Sequence, residues 1–141
     1  MLPNSIFIDT AFTYAIINPN DQWHEKAVNW QNKIISENLS LVTTQFVLTE
    51  IGDGLSALKY RRQASLAIRV LEDNDIIEII PATAGLFRKG LNLYESRPDK
   101  SWGLTDCLSF VVMSENNLSL ALTSDDHFRQ AGFRALLLET Q

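Results

Sequence analysis

Four acidic side chains stand in apolar surroundings that would not hold a lone carboxylate: Asp9, Glu50, Asp106 and Asp125. Their segments read SIFIDTAFTYAI, TTQFVLTEIGDGL, KSWGLTDCLSFVVM and SLALTSDDHF. An ionised carboxylate is rarely buried unless something pairs with it. Too few lysines or arginines lie near these segments to pair with all four. If the four met in one cleft, each pair about 5 Å apart would cost about 3 kcal/mol at an effective dielectric near 20. Such a cluster keeps its charge only around cations. Oxygen donors without a His or Cys ligand favour Mg2+ or Mn2+. The chemistry that follows is hydrolysis of a phosphodiester. The carboxylate-held cation orients and deprotonates a water, and it neutralises the charge that develops at phosphorus. Either Glu50 or Asp106 could instead serve as the general base, and a second metal could arrive with the substrate.

Each carboxylate also has a plainer reading. Asp9 and Asp125 both precede helical stretches, where an N-cap aspartate is common. Glu50 lies at the edge of a buried helical stripe and could snorkel to solvent. Asp106 is favoured by the helix dipole in a first turn, yet its neighbours Leu104, Cys107, Leu108 and Phe110 are all apolar. Asp106 is therefore the hardest to dismiss. Of the two histidines, His24 lies far from these segments and reads as a surface residue. His127 reads as packing or hydrogen-bonding support rather than as a ligand.

The elements that must position these groups alternate between strand and helix. Ser5–Asp9 reads as a buried strand, with a short helix from Thr10. Asp21 can cap a second helix carrying Trp23, Ala27, Trp30 and Ile34 on one stripe. Leu39–Val42 reads as a strand. Thr43 or Thr44 opens a helix with Leu48, Ile51, Leu55 and Leu58 on one face, weakened by Gly52 and Gly54. Another helix is expected over Arg62–Asp73, a strand over Ile76–Ile80, and a helix over Ala82–Ser96. Leu104–Met113 reads as a buried helix. Leu120–Thr123 and Ala135–Leu138 read as strands joined by a helix over Asp126–Ala131. This alternation predicts an α/β fold with a central parallel sheet flanked by helices on both faces. In such folds, ligands bind beyond the carboxyl ends of the strands at a topological switch point. Asp9 and Asp125 fall there.

The 141 residues fit one domain spanning 1–141, long enough to bury a core without staples. Hydrophobic residues make up 45% and charged residues 21%, as in an ordinary globular protein. A single cysteine, Cys107, precludes an internal disulfide and reads as an inert core thiol. Together with a start lacking a basic leader, it favours a reducing, cytoplasmic setting without membrane spans. The net charge of −5 argues mildly against unaided nucleic-acid binding, although two bound divalent cations would offset most of it. Two basic groups stand apart: Lys59, Arg61 and Arg62, and then Arg88, Lys89, Arg97 and Lys100. Each is either a solvated face or a set of phosphate contacts flanking the cleft.

Taken together, IFIDT, TEIGDGL, SWGLTDCLSF and ALTSDDHFRQAGF resemble the PIN-domain nucleases, and in particular the VapC-type toxins of bacterial toxin–antitoxin modules. The resemblance covers nearly the whole chain. It implies a Mg2+- or Mn2+-dependent endoribonuclease whose acidic set is Asp9, Glu50, Asp106 and Asp125, supported by the hydroxyls of Thr10 and Thr123. The family pattern selects Asp125 over Asp126. Gly103 stands where a hydroxyl residue is often found. Asp53 could approach the same rim but reads first as a surface residue. The resemblance further implies an RNA substrate, a VapB-like antitoxin that covers the cleft, and a homodimer. For that interface Trp23 and Trp30 are candidates, although core packing is the better reading. Other carboxylate enzymes fit worse. Ala11 occupies the place where haloacid-dehalogenase-type and RNase H-like sites carry a second acid. Pro81 and Ala82 follow the third strand, where a receiver domain needs its phosphoacceptor. The remaining rivals are a housekeeping RNA-processing nuclease of the same fold and a module that binds RNA or protein without cutting.

Overall fold

Ile6–Ile8 forms β1, a tripeptide buried on both faces. A short, wholly apolar strand of this kind belongs inside a parallel sheet covered on both sides. In the computed structural model, which describes residues 5–140, β1 is the central strand of a five-stranded sheet. Residues 1–4, on which the expectation about a leader falls, lie outside the described residues. Along the chain there follow α1 (Thr10–Ile17), α2 (His24–Glu37), β2 (Leu41–Thr44), α3 (Gln45–Gly54), α4 (Leu58–Asp73) and β3 (Ile77–Ile80). Then come α5 (Ala84–Ser96), α6 (Leu104–Glu115), β4 (Leu120–Leu122), α7 (Asp126–Gln130), β5 (Arg134–Ala135) and a 3-10 turn, Leu136–Leu138.

The strand order is β3-β2-β1-β4-β5, and every pair is parallel. The chain winds outward from β1 to β2 and β3, then returns to lay β4 on the other side of β1. The switch point therefore lies between β1 and β4. Side-chain alternation along the strands divides the core into two layers. Phe7, Val42 and Ala121 face one layer with α3 and α6. Ile6, Ile8, Leu41 and Leu122 face the other with α1 and α2. Helices thus cover both faces, as the alternation in sequence predicts.

Three local differences have physical reasons. The helix expected from Arg62 begins at Leu58, because α3 ends at Gly54 and the chain restarts at once. Its N-cap is Ala57, with no side-chain cap to announce it. Leu58, expected on the buried face of α3, is 94% exposed in consequence. The expected strand Ala135–Leu138 pairs with β4 only through Arg134 and Ala135. Beyond them Leu136 and Leu137 turn inward as plugs of the second core layer. A short apolar run does not distinguish these two uses.

Gly90 sets how closely α5 and α6 pack. A Cβ there would lie 2.7 Å from Leu108 Cγ and 3.3 Å from its Cα. Alanine is the better helix former by about 1 kcal/mol, but overpacking of this kind typically costs about 1–3 kcal/mol. Gly90→Ala is therefore expected to lower the urea midpoint. An unchanged or raised midpoint would mean that α5 slides freely on α6.

Candidate functional site

The register of β1 on β4 builds the first half of the site. Ile8 stands opposite Leu122, so the next residues, Asp9 and Thr123, emerge side by side at the strand ends. The Thr123 hydroxyl donates to Asp9 Oδ2 at 2.7 Å, and its oxygen accepts the Asp125 amide at 3.0 Å. Asp9 occupies the N-cap position of α1 yet makes no side-chain cap bond. Helix capping thus does not explain this carboxylate. It is 4% exposed, and burial pushes its pKa up to about 7. The Thr123 hydroxyl and the Thr10 amide work against that rise, while the charges of Asp106 and Glu50 add to it.

Glu50 reaches the same place from α3, which Thr44 starts by accepting the Val47 amide at 3.1 Å. Its carboxylate accepts the Thr10 hydroxyl, and its backbone carbonyl accepts the Tyr14 hydroxyl at 3.1 Å. Burial raises the Glu50 pKa. Hydrogen bonds from Thr10 and Thr105 oppose the rise, and the charges of Asp106 and Asp125 add to it. Tyr14 is pushed up to about 12, by burial first and then by Glu50, Asp9 and Asp53.

Asp106 lies in the first turn of α6. Its Oδ2 accepts the Gly103 amide at 3.1 Å and His127 Nδ1 at 3.0 Å. Both donors meet the same oxygen, so Oδ1 has no hydrogen-bond partner among the described residues. Burial raises the Asp106 pKa and the Asp125 charge adds to it, while the bond to His127 lowers it. Asp125 does cap its helix, accepting the His127 amide at 2.9 Å, and His127 Nδ1 lies 3.4 Å from the same oxygen. Asp106, Asp125 and His127 offer donor atoms all within 4.8 Å of one another.

The structure therefore brings together all four acids, with Thr10 holding Glu50 and Thr123 holding Asp9. Asp126 is turned away towards Arg129 at 3.6 Å, and Asp53 is exposed. Where Gly103 lacks a hydroxyl, its backbone amide serves Asp106 instead. His127 is more central than its sequence context implies, since it touches two of the four acids. The signal for it was its place two residues after Asp125, at the first turn of a helix. His24 instead ties α2 to α1, with Nδ1 2.6 Å from the Ala15 carbonyl oxygen. Burial pushes the Cys107 thiol up, as befits an inert core group. Trp23 and Trp30 pack against the second core layer.

No lysine or arginine pairs with any of the four acids among the described residues; His127 is their single ion-pair partner. Four converging carboxylates, with raised pKa values for three of them, fit a hard divalent cation. Their oxygens suit Mg2+ or Mn2+.

The sequence matches the PIN domain family over residues 6–134. No curated protein matches the chain. Among solved structures, VapC20 of Mycobacterium tuberculosis, a sarcin-ricin loop cleaving toxin, is similar at a TM-score of 0.79 and 24% identity, with 92% of this chain and 96% of that one covered. VapBC2 from Rickettsia felis, bound to a DNA fragment from their promoter, is similar at a TM-score of 0.66 and 18% identity, covering 91% and 93%. FitAcB from Neisseria gonorrhoeae follows at 0.63 and 18%, covering 92% and 95%. These three likenesses speak for the fold. The match over residues 6–134 speaks for the lineage: the chain belongs to the PIN domain family.

Proposed function

We propose that the protein is a Mg2+- or Mn2+-dependent endoribonuclease, the toxin half of a toxin–antitoxin pair. One observation carries the reading. Asp9, Glu50, Asp106 and Asp125 lie near enough at the β1/β4 switch point for their charges to raise the pKa values of Asp9, Glu50 and Asp106, and among the described residues no lysine or arginine pairs with them. A module that only binds RNA would gain nothing from a cluster that repels phosphate.

When bound, a divalent cation supplies an activated water and neutralises charge developing at the scissile phosphate. The chain's own residues prepare for it. Thr123 and Thr10 fix the carboxylates of Asp9 and Glu50, so that little reorganisation remains at the moment of reaction. The Gly103 amide and His127 hold Asp106 through Oδ2, which leaves Oδ1 without a hydrogen-bond partner among the described residues. Glu50 and Asp106, both raised by burial, are the candidates to accept a proton. Lys59, Arg61 and Arg62 on one side, and Arg88, Lys89, Arg97 and Lys100 on the other, are the sources of phosphate affinity.

RNA is the proposed substrate because the family resemblance implies it and because the similar VapC20 is a sarcin-ricin loop cleaving toxin. A VapB-like antitoxin is the proposed partner, with VapBC2 as the structural parallel, and the toxin is taken to be a cytoplasmic homodimer. No helix among the described residues is long and apolar enough to cross a membrane.

The purified protein is expected to cut single-stranded RNA with Mg2+ or Mn2+ and to lose that activity in EDTA, with recovery when the metal is restored. Undiminished cleavage in EDTA would end the metal-nuclease reading. If calorimetry finds no divalent-metal binding while RNA still binds, the binding module takes its place.

A further inference from the structure

A second concavity is built on the helices that also carry Asp106 and Asp125. It is a cleft of about 490 Å3 between α5, α6 and the segment after α7, within the roughly 300–1,000 Å3 of small-ligand sites. Its floor is formed by Trp102 and Phe110, only 6% and 3% exposed, its half-buried walls are Leu93 and Phe133, and two polar residues, Ser114 and Gln130, line the same space. Phe110 stands edge-on to Trp102 at 5.1 Å and 5.7 Å from Phe133. The rim carries three cations, two of them paired with the carboxylates of Asp99 and Glu115. The Arg97 guanidinium lies 5.0 Å over the Trp102 ring, Lys100 lies 5.9 Å from it, and Lys89 lines the opposite edge.

The elements that carry the cleft also carry the acids. Trp102 directly precedes Gly103, whose amide holds Asp106. Gln130, which accepts the Trp102 indole N–H at 3.2 Å, ends the helix that Asp125 caps. Phe110 is about one helical turn, roughly 5.4 Å of rise, beyond Asp106 on α6. The cleft therefore opens within the reach of neighbouring nucleotides on one strand. A half-buried aromatic wall at Phe133, with Arg97, Lys100 and Lys89 outnumbering Asp99 and Glu115 around it, suits a planar base with a phosphate on either side. An apolar peptide would have no use for that rim.

We propose that this cleft is a nucleobase subsite: it receives an unpaired base of the RNA strand cut at the carboxylates, with Arg97 and Lys89 on the flanking phosphates. The inference rests on the ribonuclease reading for the identity of the strand. Arg97 is held bidentate by Asp99 at 2.9 Å, and Lys89 by Glu115 at 2.6 Å. An incoming phosphate thus exchanges partners with exposed carboxylates, and no bare charge is desolvated. Stacking one base on an aromatic wall is worth about five- to 150-fold in affinity.

The test begins with the 15N-labelled protein in EDTA. Nucleoside 5′-monophosphates are titrated in, with ribose 5-phosphate as the baseless control, and the three tryptophan indole N–H signals are followed. The Trp102 signal is expected to shift saturably with the nucleotide and not with the sugar phosphate, while those of Trp23 and Trp30 stay put. Equal shifts with both compounds would reduce the cleft to a basic patch. No shift with any nucleotide, or one seen only on adding a protein partner, would overturn the inference. In the metal-loaded enzyme, Arg97→Gln and Phe133→Leu are expected to raise KM for single-stranded RNA by fivefold or more, with kcat within about twofold. Both substitutions are mild enough to preserve the fold. If the wild type cuts RNA while KM is unmoved in both variants, the subsite falls and the nuclease stands. If the nucleotide shift is seen but no RNA is cut, the nuclease reading falls instead.

Discussion

Asp9→Asn is expected to make the metal-free protein more stable while removing its ability to cut RNA. The sign follows from the direction of the shift. Asp9 titrates near 7 in the folded protein against 3.8 for an ordinary aspartate. Between those values the folded state holds a proton that the unfolded state has released, so stability falls as pH rises. No penalty exists below about pH 4, and all of it is present above about pH 7. Three units at about 1.36 kcal/mol each amount to about 4 kcal/mol. The group is almost wholly buried, so solvent screening offers little relief. Urea denaturation in EDTA at pH 5 and pH 8 measures the effect directly. The wild type should lose several kcal/mol between the two, and Asp9→Asn should lose clearly less, the remaining slope coming from Glu50 and Asp106, with a higher midpoint at pH 8. A divalent cation at 100 times its Kd should then restore about 2.7 kcal/mol to the wild type and far less to the variant. A flat wild-type profile would show that Asp9 has a counter-charge of its own, and the argument for a cation would lose its basis.

The same residue shows how much of the site could be read in advance. The order Asp9, Glu50, Asp106, Asp125 and the strand–helix alternation around it are visible in sequence, because buried strands and amphipathic helices leave periodic marks. Whether an aspartate after a strand is only a cap is not visible. Asp9 and Asp125 look alike there, and both sit at N-cap positions, yet Asp125 makes its cap bond and Asp9 does not. The difference arises from the β1/β4 register, a long-range pairing that puts Thr123 beside Asp9. His127 was underweighted for the same reason: its contact with Asp106 crosses from α7 to α6. The start of α4 and the short β5 were misjudged on local grounds. Ala57 carries no capping oxygen, and the run ALLL suits a strand as well as a plugging turn.

Asp106→Asn is the substitution in which geometry and charge separate most cleanly. The Gly103 amide and His127 Nδ1 both aim at Oδ2. An asparagine must meet these donors with its one oxygen, so its NH2 takes the place of Oδ1, the oxygen they leave free. The backbone and the two hydrogen bonds survive. On the proposed reading a cation ligand becomes a donor that no cation accepts, and one negative charge leaves the site. Cleavage is expected to fall by at least about 10^3-fold, at the upper end for losing one preorganised electrostatic group. His127→Ala is the counterpart. It leaves the Asp106 charge and the Gly103 bond in place and removes one of the two donors that orient it. Losing an outer partner of this kind typically costs about 10- to 100-fold in metal affinity or activity. The expected order is therefore Asp106→Asn well below His127→Ala, read both in single-turnover cleavage and in Mn2+ titration. If Asp106→Asn stays within tenfold of wild type, Asp106 is not at the reacting centre. If His127→Ala matches Asp106→Asn, then His127 acts at that centre itself, and the role assigned to it here is too small.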